Sequence, residues 1–184
     1  MQSSDNTIVV WDPFVRVFHW SLVAAYIVAW ATAEERLSLH ESAGYFVMIL
    51  IGLRLVWGVI GTRYARFSDF VTRPTRAIDY LKALFAGRPR RYLGHNPAGG
   101  WMIVALLLSV VLASVTGLLM PGGVAGGFVA GGEVWEEVHE GAAGLSLLLI
   151  VVHVSGVIVS SLVHRENLVR AMLSGRKTQE ETDV

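Results

Sequence analysis

Four long apolar runs dominate the chain and predict four membrane-spanning helices. Each run, with a few flanking residues, reaches the length of about 20 residues that a helix needs to cross the hydrocarbon core of a bilayer. We place the spans at residues 14–33, 40–61, 97–120 and 137–163. The pattern therefore predicts an all-α fold, an integral membrane four-helix bundle.

The composition supports this interpretation. The chain is 53% hydrophobic and only 16% charged, with a mean hydropathy of +0.52, which is too apolar for a soluble domain of this size. The polar first dozen residues, followed by His19 within the first apolar run, do not fit a cleavable signal sequence. We predict a single membrane domain over residues 1–177, with a frayed segment over its first ten residues, and a disordered tail at 178–184.

Charge is distributed unequally among the connecting segments. The connection at 62–95 carries eight basic residues against two acidic ones, and Arg16 and the C-terminal segment add further basic residues. The other two connections, together with the first residues of the spans that follow them, carry seven glutamates and a single basic residue, Arg36. The positive-inside rule then predicts that both termini of this multi-pass protein are cytoplasmic. The basic connection fits contact with lipid headgroups better than with nucleic acid, which we do not expect as a partner.

The same connection contains a predicted amphipathic helix at 75–86, bracketed by Pro74 and Gly87. Its apolar residues share one side, which is typical of a helix lying on the inner leaflet. A polar linker with only a marginal helix is the alternative. Further helix starts are marked by Asp12 and Asn96, each followed by proline, and by the capping-box spacing of Ser38 and Glu41.

Histidines occur in the spans at matching depths. His139 and His153 are fourteen residues apart, so they share nearly one face of the fourth span with a rise of about 21 Å between them. His40, like His139, begins a span from the outside. His19 and His153 both fall about 9 Å from the inner boundary. The sequence therefore predicts an outer pair, His40 with His139, and an inner pair, His19 with His153; His164 is a poorer alternative to His153.

Paired imidazoles on facing helices suit the two axial positions of a haem iron, and saturation of both positions favours electron transfer. A metal or proton site is the competing use of such pairs. Zinc usually takes three or four ligands, often carboxylates, and no aspartate or glutamate lies within the apolar runs at 17–33, 42–61, 99–120 and 141–163. The chain has no cysteine, which excludes disulfides, cysteine-ligated iron–sulfur clusters and covalently attached c-type haem.

Arg54 follows His40 by fourteen residues, which places it at the depth of His153. A charge within a span is costly unless it is paired, and an anionic ligand group such as a haem propionate would pair it. The alternative is that Arg54 extends to the cytoplasmic interface. For His95, just before the third span, a structural role is the preferred interpretation.

Short motifs along the chain resemble the bacterial cytochrome b561 and nickel-hydrogenase b-type cytochrome family over roughly residues 10–177. The motifs are Arg16-Val17-Phe18-His19-Trp20, His40 with Gly44, Arg54-Leu55-Val56-Trp57-Gly58, Tyr64-Ala65-Arg66-Phe67, Gly94-His95-Asn96-Pro97-Ala98-Gly99-Gly100, His139, His153 and His164-Arg165-Glu166-Asn167-Leu168. The resemblance implies a membrane bundle with two non-covalent haem b groups. It also places their iron ligands at His19, His40, His139 and His153.

The histidine pairs predict transmembrane electron transfer, and the resemblance implies that it links the quinone pool to a periplasmic or membrane redox partner. The resemblance implies that this partner is a c-type cytochrome or a hydrogenase-like oxidoreductase. The chain itself would be an electron-transfer cytochrome or a quinone-linked oxidoreductase, with no catalytic side chain assigned. Arg54, His95 and His164 are weak candidates for a quinone site. A histidine-lined metal or proton transporter and a haem-containing anchor of a larger oxidoreductase remain alternatives, and the pattern allows a homo-oligomer.

Overall fold

A computed structural model describes residues 7–120, 123–126 and 131–179 of the 184-residue chain. Within these residues the fold is mostly helical. In chain order the elements are β1 (Thr7–Val9), α1 (Pro13–Thr32), α2 (Leu37–Ile60), α3 (Phe67–Phe70), α4 (Pro74–Phe85), α5 (Pro97–Leu119), α6 (Gly132–Val163), α7 (Leu168–Ser174) and β2 (Arg176–Thr178).

Four of these helices, α1, α2, α5 and α6, are long and apolar enough to cross a membrane. They correspond to the four predicted spans, so the prediction of a multi-pass helical membrane protein is confirmed. Helix α6 begins five residues before the predicted start at 137. Its extra turn carries glutamates that hydropathy alone assigns to a loop, although glutamate forms helices well.

Two of the three predicted helix caps are present. The Asp12 carboxylate accepts a hydrogen bond from the Val15 amide at 2.9 Å, and Asn96 accepts one from the Gly99 amide at 2.7 Å. The predicted capping box at Ser38 is wrong. The first turn of α2 forms before Ser38, because the Arg36 carbonyl accepts a hydrogen bond from the His40 amide at 3.0 Å. Ser38 therefore lies inside α2.

The described residues form two compact units, each built from separate parts of the sequence. Unit 1 comprises the described parts of residues 1–19, 54–102 and 153–184, and unit 2 comprises those of 20–53 and 103–152. All four long helices contribute to both units. Histidines 19 and 153 therefore belong to unit 1, whereas histidines 40 and 139 belong to unit 2.

The core of unit 2 joins α1, α2 and α5. Its buried residues are Ala25, Val47, Ile51 and Val110. Helix α6 is attached to α1 by the Tyr26 hydroxyl, which donates to the Ala143 carbonyl at 3.3 Å. Small side chains allow the helix backbones to approach closely, as is typical where packing rather than water drives association.

Unit 1 contains a feature that we call the terminal clasp, made of strands β1 and β2 with Lys177. The strands pair antiparallel, with Thr7 opposite Thr178. The buried Lys177 ammonium donates to the Tyr92 carbonyl at 3.2 Å and forms an ion pair with Glu166 at 3.1 Å. Part of the segments predicted to be frayed or disordered is therefore ordered strand. Residues 180–184 of the predicted tail lie outside the described residues.

Candidate functional site

The outer histidine pair lies in unit 2, where α2 contributes His40 and α6 contributes His139. The centroids of the two imidazole rings are 6.0 Å apart and the ring planes make an angle of 83°. The Nδ1 atom of His40 lies 2.8 Å from the Ala29 carbonyl oxygen, and that of His139 lies 2.7 Å from the Ala113 carbonyl oxygen. Since a carbonyl can only accept, each Nδ1 carries the proton and donates it. Each Nε2 therefore has a lone pair that can bind a metal. Histidines that ligate a metal through Nε2 adopt this tautomer.

The spacing of this pair fits two axial ligands of one iron. A metal–imidazole bond is about 2 Å long, so two opposite bonds put the nitrogens about 4 Å apart and the ring centres about 6 Å apart. Each ring can turn about its own metal–nitrogen bond, which permits the observed angle between the planes. A Cβ atom built on Gly44 or Gly144 would meet no atom within 4 Å, so space is open beside the two helices.

Close helix packing holds the His139 ring in place. A Cβ atom built on Gly117 of α5 would lie 3.2 Å from the Cε1 atom of His139. Glycine at this position lets α5 approach α6 closely enough for the Ala113 carbonyl to accept from the imidazole. This glycine lies on a third helix and was not identified from the sequence.

The inner histidine pair lies in unit 1. His19 of α1 and His153 of α6 are each partly buried, and their imidazoles are near enough to interact electrostatically. The structure thus brings together the two residues that depth matching predicted. His164 follows the last residue of α6, and its amide donates to the Ser160 carbonyl at 3.0 Å. Haem ligation by either pair is a proposal argued below.

Arg54 is buried rather than extended to the interface, with only 3% of its surface exposed. One guanidinium nitrogen donates to the Ala65 carbonyl at 3.0 Å, and the guanidinium carbon lies 4.9 Å from the centre of the Phe67 ring. The other terminal nitrogen, Nη1, is buried and has no hydrogen-bond partner among the described residues. An unpaired buried donor of this kind indicates a missing acceptor. This observation favours the anionic-ligand interpretation of Arg54.

Asp12 has a second function that the sequence did not reveal. Besides capping α1, its carboxylate accepts from the Thr62 hydroxyl at 2.5 Å and the Trp57 indole at 3.2 Å, and its charge acts on Arg54. Burial raises the pKa of Asp12, but the hydrogen bonds from Thr62, Val15 and Trp57 outweigh it and leave the pKa below its ordinary value. Asp12 is therefore an ionised counter-charge placed just before the first span.

His95 packs between two aromatic rings at the start of α5. Its imidazole centroid lies 4.5 Å from that of Trp11 and 4.8 Å from that of Phe70. Burial, together with the positive charges of Arg54 and Lys177, lowers the pKa of His95 to about 3, so the ring is neutral at physiological pH. Its Nδ1 atom is buried and has no hydrogen-bond partner among the described residues. Packing thus supports the structural role, while Nδ1 is available to a ligand.

The pKa of His95 predicts a loss of stability on acidification. The folded-state pKa lies below the unfolded value near 6.5, so the contribution is complete above about pH 6.5 and declines as the pH falls toward 3. Uptake of one proton on unfolding lowers the free energy of unfolding by about 1.4 kcal/mol for each pH unit below 6.5. The loss at pH 5 is therefore about 2 kcal/mol. Thermal unfolding of the detergent-solubilised protein and of His95→Phe at pH 7 and pH 5 measures this. Between pH 7 and pH 5 the variant should lose less stability than the wild type. An equal loss would show that His95 is not the source of the pH dependence.

A multidentate metal site is not found in the described residues. No group of three or more histidine, cysteine, aspartate or glutamate side chains converges there to hold a metal ion. His40 and His139 lie together in unit 2, whereas His19 and His153 of unit 1 interact electrostatically with each other and with His95. A porphyrin fills the other coordination positions of a haem iron, so two histidines are enough for it. A zinc ion without a porphyrin needs more protein ligands than two.

Comparison with known sequences decides the family. Residues 10–175 match the family described as prokaryotic cytochrome b561. The chain belongs to the prokaryotic cytochrome b561 family. It is also 26% identical to the probable Ni/Fe-hydrogenase B-type cytochrome subunit of Cupriavidus necator, in an alignment covering 92% of this chain and 86% of that protein. No solved structure matches the chain.

Membership in the cytochrome b561 family confirms the resemblance stated above. The chain is a b-type cytochrome of membrane electron transport, and haem b is the cofactor that this family implies. The outer pair fits that cofactor. Each imidazole donates from Nδ1 to a backbone carbonyl, which leaves Nε2 able to bind the haem iron. The absence of cysteine means that the haem would be held without thioether bonds.

Proposed function

We propose that the chain transfers electrons across the bacterial cytoplasmic membrane through two haem b groups, each held by two histidines. His40 and His139 hold the outer group, and His19 and His153 hold the inner one. The distribution of basic residues supports a cytoplasmic location for both termini. The observation that carries the proposal is the outer pair, whose 6.0 Å ring separation fits opposite axial ligands.

One-electron transfer is the chemistry that haem b supplies when it is bound. The protein contributes ligands whose orientation is fixed before binding. The Ala29 and Ala113 carbonyls hold the His40 and His139 rings in the correct tautomer. Such hydrogen bonds raise the basicity of the ligating nitrogen and lower the cost of ordering the site. His40 and His139 would hold the outer group and His19 and His153 the inner one, and a haem held by two histidines would supply electron transfer rather than oxygen binding.

Arg54 is proposed to bind an anionic group of the inner haem. Its buried Nη1 donor has no acceptor among the described residues, and a propionate has the required charge and geometry. Asp12 limits the cost of the buried cation. The two phenylalanine rings near the guanidinium, Phe67 and Phe70, exclude water from it.

Quinone is the proposed small-molecule redox partner at the inner side. The supporting observation is the buried Nδ1 of His95, which has no hydrogen-bond partner among the described residues and could donate to a quinone carbonyl or accept from a quinol hydroxyl, depending on its tautomer. The neighbouring Trp11 and Phe70 rings provide an apolar surface for a flat ligand. His164 is a weaker candidate because it lies after the last residue of α6.

A second candidate function is that of a haem-containing membrane subunit in a larger oxidoreductase. It is favoured by the relative from Cupriavidus necator, which is named as a cytochrome subunit of a hydrogenase. In this case a hydrogenase-like enzyme, rather than a soluble c-type cytochrome, exchanges electrons with the chain. The two candidates share the same haem sites and differ in the partner.

A reduced-minus-oxidised spectrum of the purified protein tests the proposal. Dithionite should produce b-type haem bands, and a haem assay should give about two haems per chain, as the two histidine pairs predict. Absence of the bands would overturn both candidate functions. Adding a quinol to the isolated protein then separates them: haem reduction supports direct quinone exchange, whereas no reduction supports a subunit that needs its partner.

A further inference from the structure

Helix α4 has two different apolar surfaces, and only one of them is covered. Ala77 and Tyr80 are buried, with the Tyr80 ring 5.9 Å from that of Tyr92. Ile78, Leu81 and Phe85 are exposed, and Phe85 is exposed to 88%. At about 100° per residue, the three exposed side chains fall within about 60° of one another, roughly 100° away from the buried surface. We call these three residues the α4 stripe.

The position of α4 in the chain limits what can cover the stripe. The helix begins fourteen residues after the end of α2 and ends twelve residues before the start of α5, and both of these helices are membrane spans. The Trp101 indole of α5 donates to the Thr72 carbonyl at 3.0 Å, which ties the start of α4 to the end of a span. Helix α4 is therefore held close to the membrane surface on the side where these spans end.

The charges around the stripe indicate the chemistry of its partner. The connection between α2 and α5 carries eight basic and two acidic residues. Of the basic residues near α4, Arg73, Lys82, Arg88 and Arg90 are exposed. An apolar stripe with basic residues at its borders is the arrangement found in helices that lie in the plane of an anionic leaflet.

We propose that α4 is an interfacial anchor whose stripe enters the lipid leaflet while its basic neighbours bind anionic headgroups. Ile78, Leu81 and Phe85 lie at the depth of the first acyl carbons. The adjoining arginines and Lys82 lie among the lipid phosphates, since long basic side chains carry their charge outward along an apolar stem. This proposal concerns a lipid surface and does not depend on the haem ligands.

Site-directed spin labelling tests the anchor, because the chain contains no cysteine and an introduced one is unique. The variants are Phe85→Cys and Ile78→Cys on the stripe, with Asp79→Cys as the matched control on the exposed polar side of the same helix. In phospholipid vesicles, labels at 85 and 78 should collide more with oxygen than with a water-soluble nickel chelate. The label at 79 should show the reverse.

Two other results would overturn the anchor. Nickel access at 85 and 78 equal to that at 79 would show that the stripe faces water, and protection from both reagents would show that protein covers it. The charge part is tested by comparing pure phosphatidylcholine vesicles with vesicles containing phosphatidylglycerol. The labels should lie deeper with the anionic lipid, and Arg88→Glu with Arg90→Glu should remove that difference. Equal depth in both lipids for the parent protein would refute headgroup binding.

Discussion

Replacing His139 by alanine is expected to halve the haem content of the purified protein, from about two groups per chain to about one. The replacement removes one of two axial ligands, and His40 alone cannot hold a haem that has no covalent attachment. His40→Ala should produce the same loss, because the two imidazoles face each other at 6.0 Å. Haem per chain is measured against protein mass, and the lost component is identified in the reduced spectrum.

The pairing itself is tested by combining variants. The double variant with His40→Ala and His139→Ala should lose no more haem than either single variant, whereas His19→Ala and His153→Ala should remove the other component. His164→Ala is the matched control, because His164 lies beyond α6, and it should retain both haems. Loss of the same spectral component in His19→Ala and His139→Ala would show that the proposed pairs are wrong.

Replacing Arg54 by alanine is expected to lower the free energy of unfolding by about 3 kcal/mol. The change removes a charged hydrogen bond to the Ala65 carbonyl, worth about 1.5–3 kcal/mol. It also removes a buried contact with the Phe67 ring, worth up to about 2 kcal/mol. Thermal unfolding in detergent measures this effect. Arg63→Ala is the control, because Arg63 is exposed, and its stability should change by less than about 0.5 kcal/mol.

The role proposed for Arg54 toward the inner haem has a separate readout. If a propionate accepts from Nη1, Arg54→Lys should preserve much of the local positive charge but lose the planar guanidinium geometry. Redox titration should then show a smaller change in the potential of the inner haem for Arg54→Lys than for Arg54→Ala. Unchanged potentials in both variants, alongside reduced stability, would leave Arg54 with a purely structural role.

Helices and histidine pairs could be predicted from the sequence because depth in a membrane is a one-dimensional quantity. A long apolar run must satisfy its backbone internally, so it predicts a helix, and distance along that helix gives depth. Counting residues from each end was therefore enough to place His40 beside His139 and His19 beside His153. The Asp12 and Asn96 caps could also be predicted from the sequence, because each depends on a contact only three residues away.

Long-range contacts with backbone atoms could not be predicted in this way. The Ala29 and Ala113 carbonyls that orient the outer histidines carry no sequence signature, because every residue has a carbonyl. The carboxylate of Asp12 meets Trp57 and Thr62, which are 45 and 50 residues away. Nothing local distinguishes such an aspartate from an ordinary helix cap, and its effect on Arg54 follows only from the folded arrangement.

The terminal clasp has a consequence for biosynthesis. Strand β1 precedes all four long helices in the chain and its partner β2 follows them, so β1 has no partner until the last of these helices has been synthesised. All described segments of unit 2 precede residue 153, whereas unit 1 includes residues after it. Unit 2 can therefore assemble while synthesis continues, but unit 1 can be completed only after Lys177 has been added.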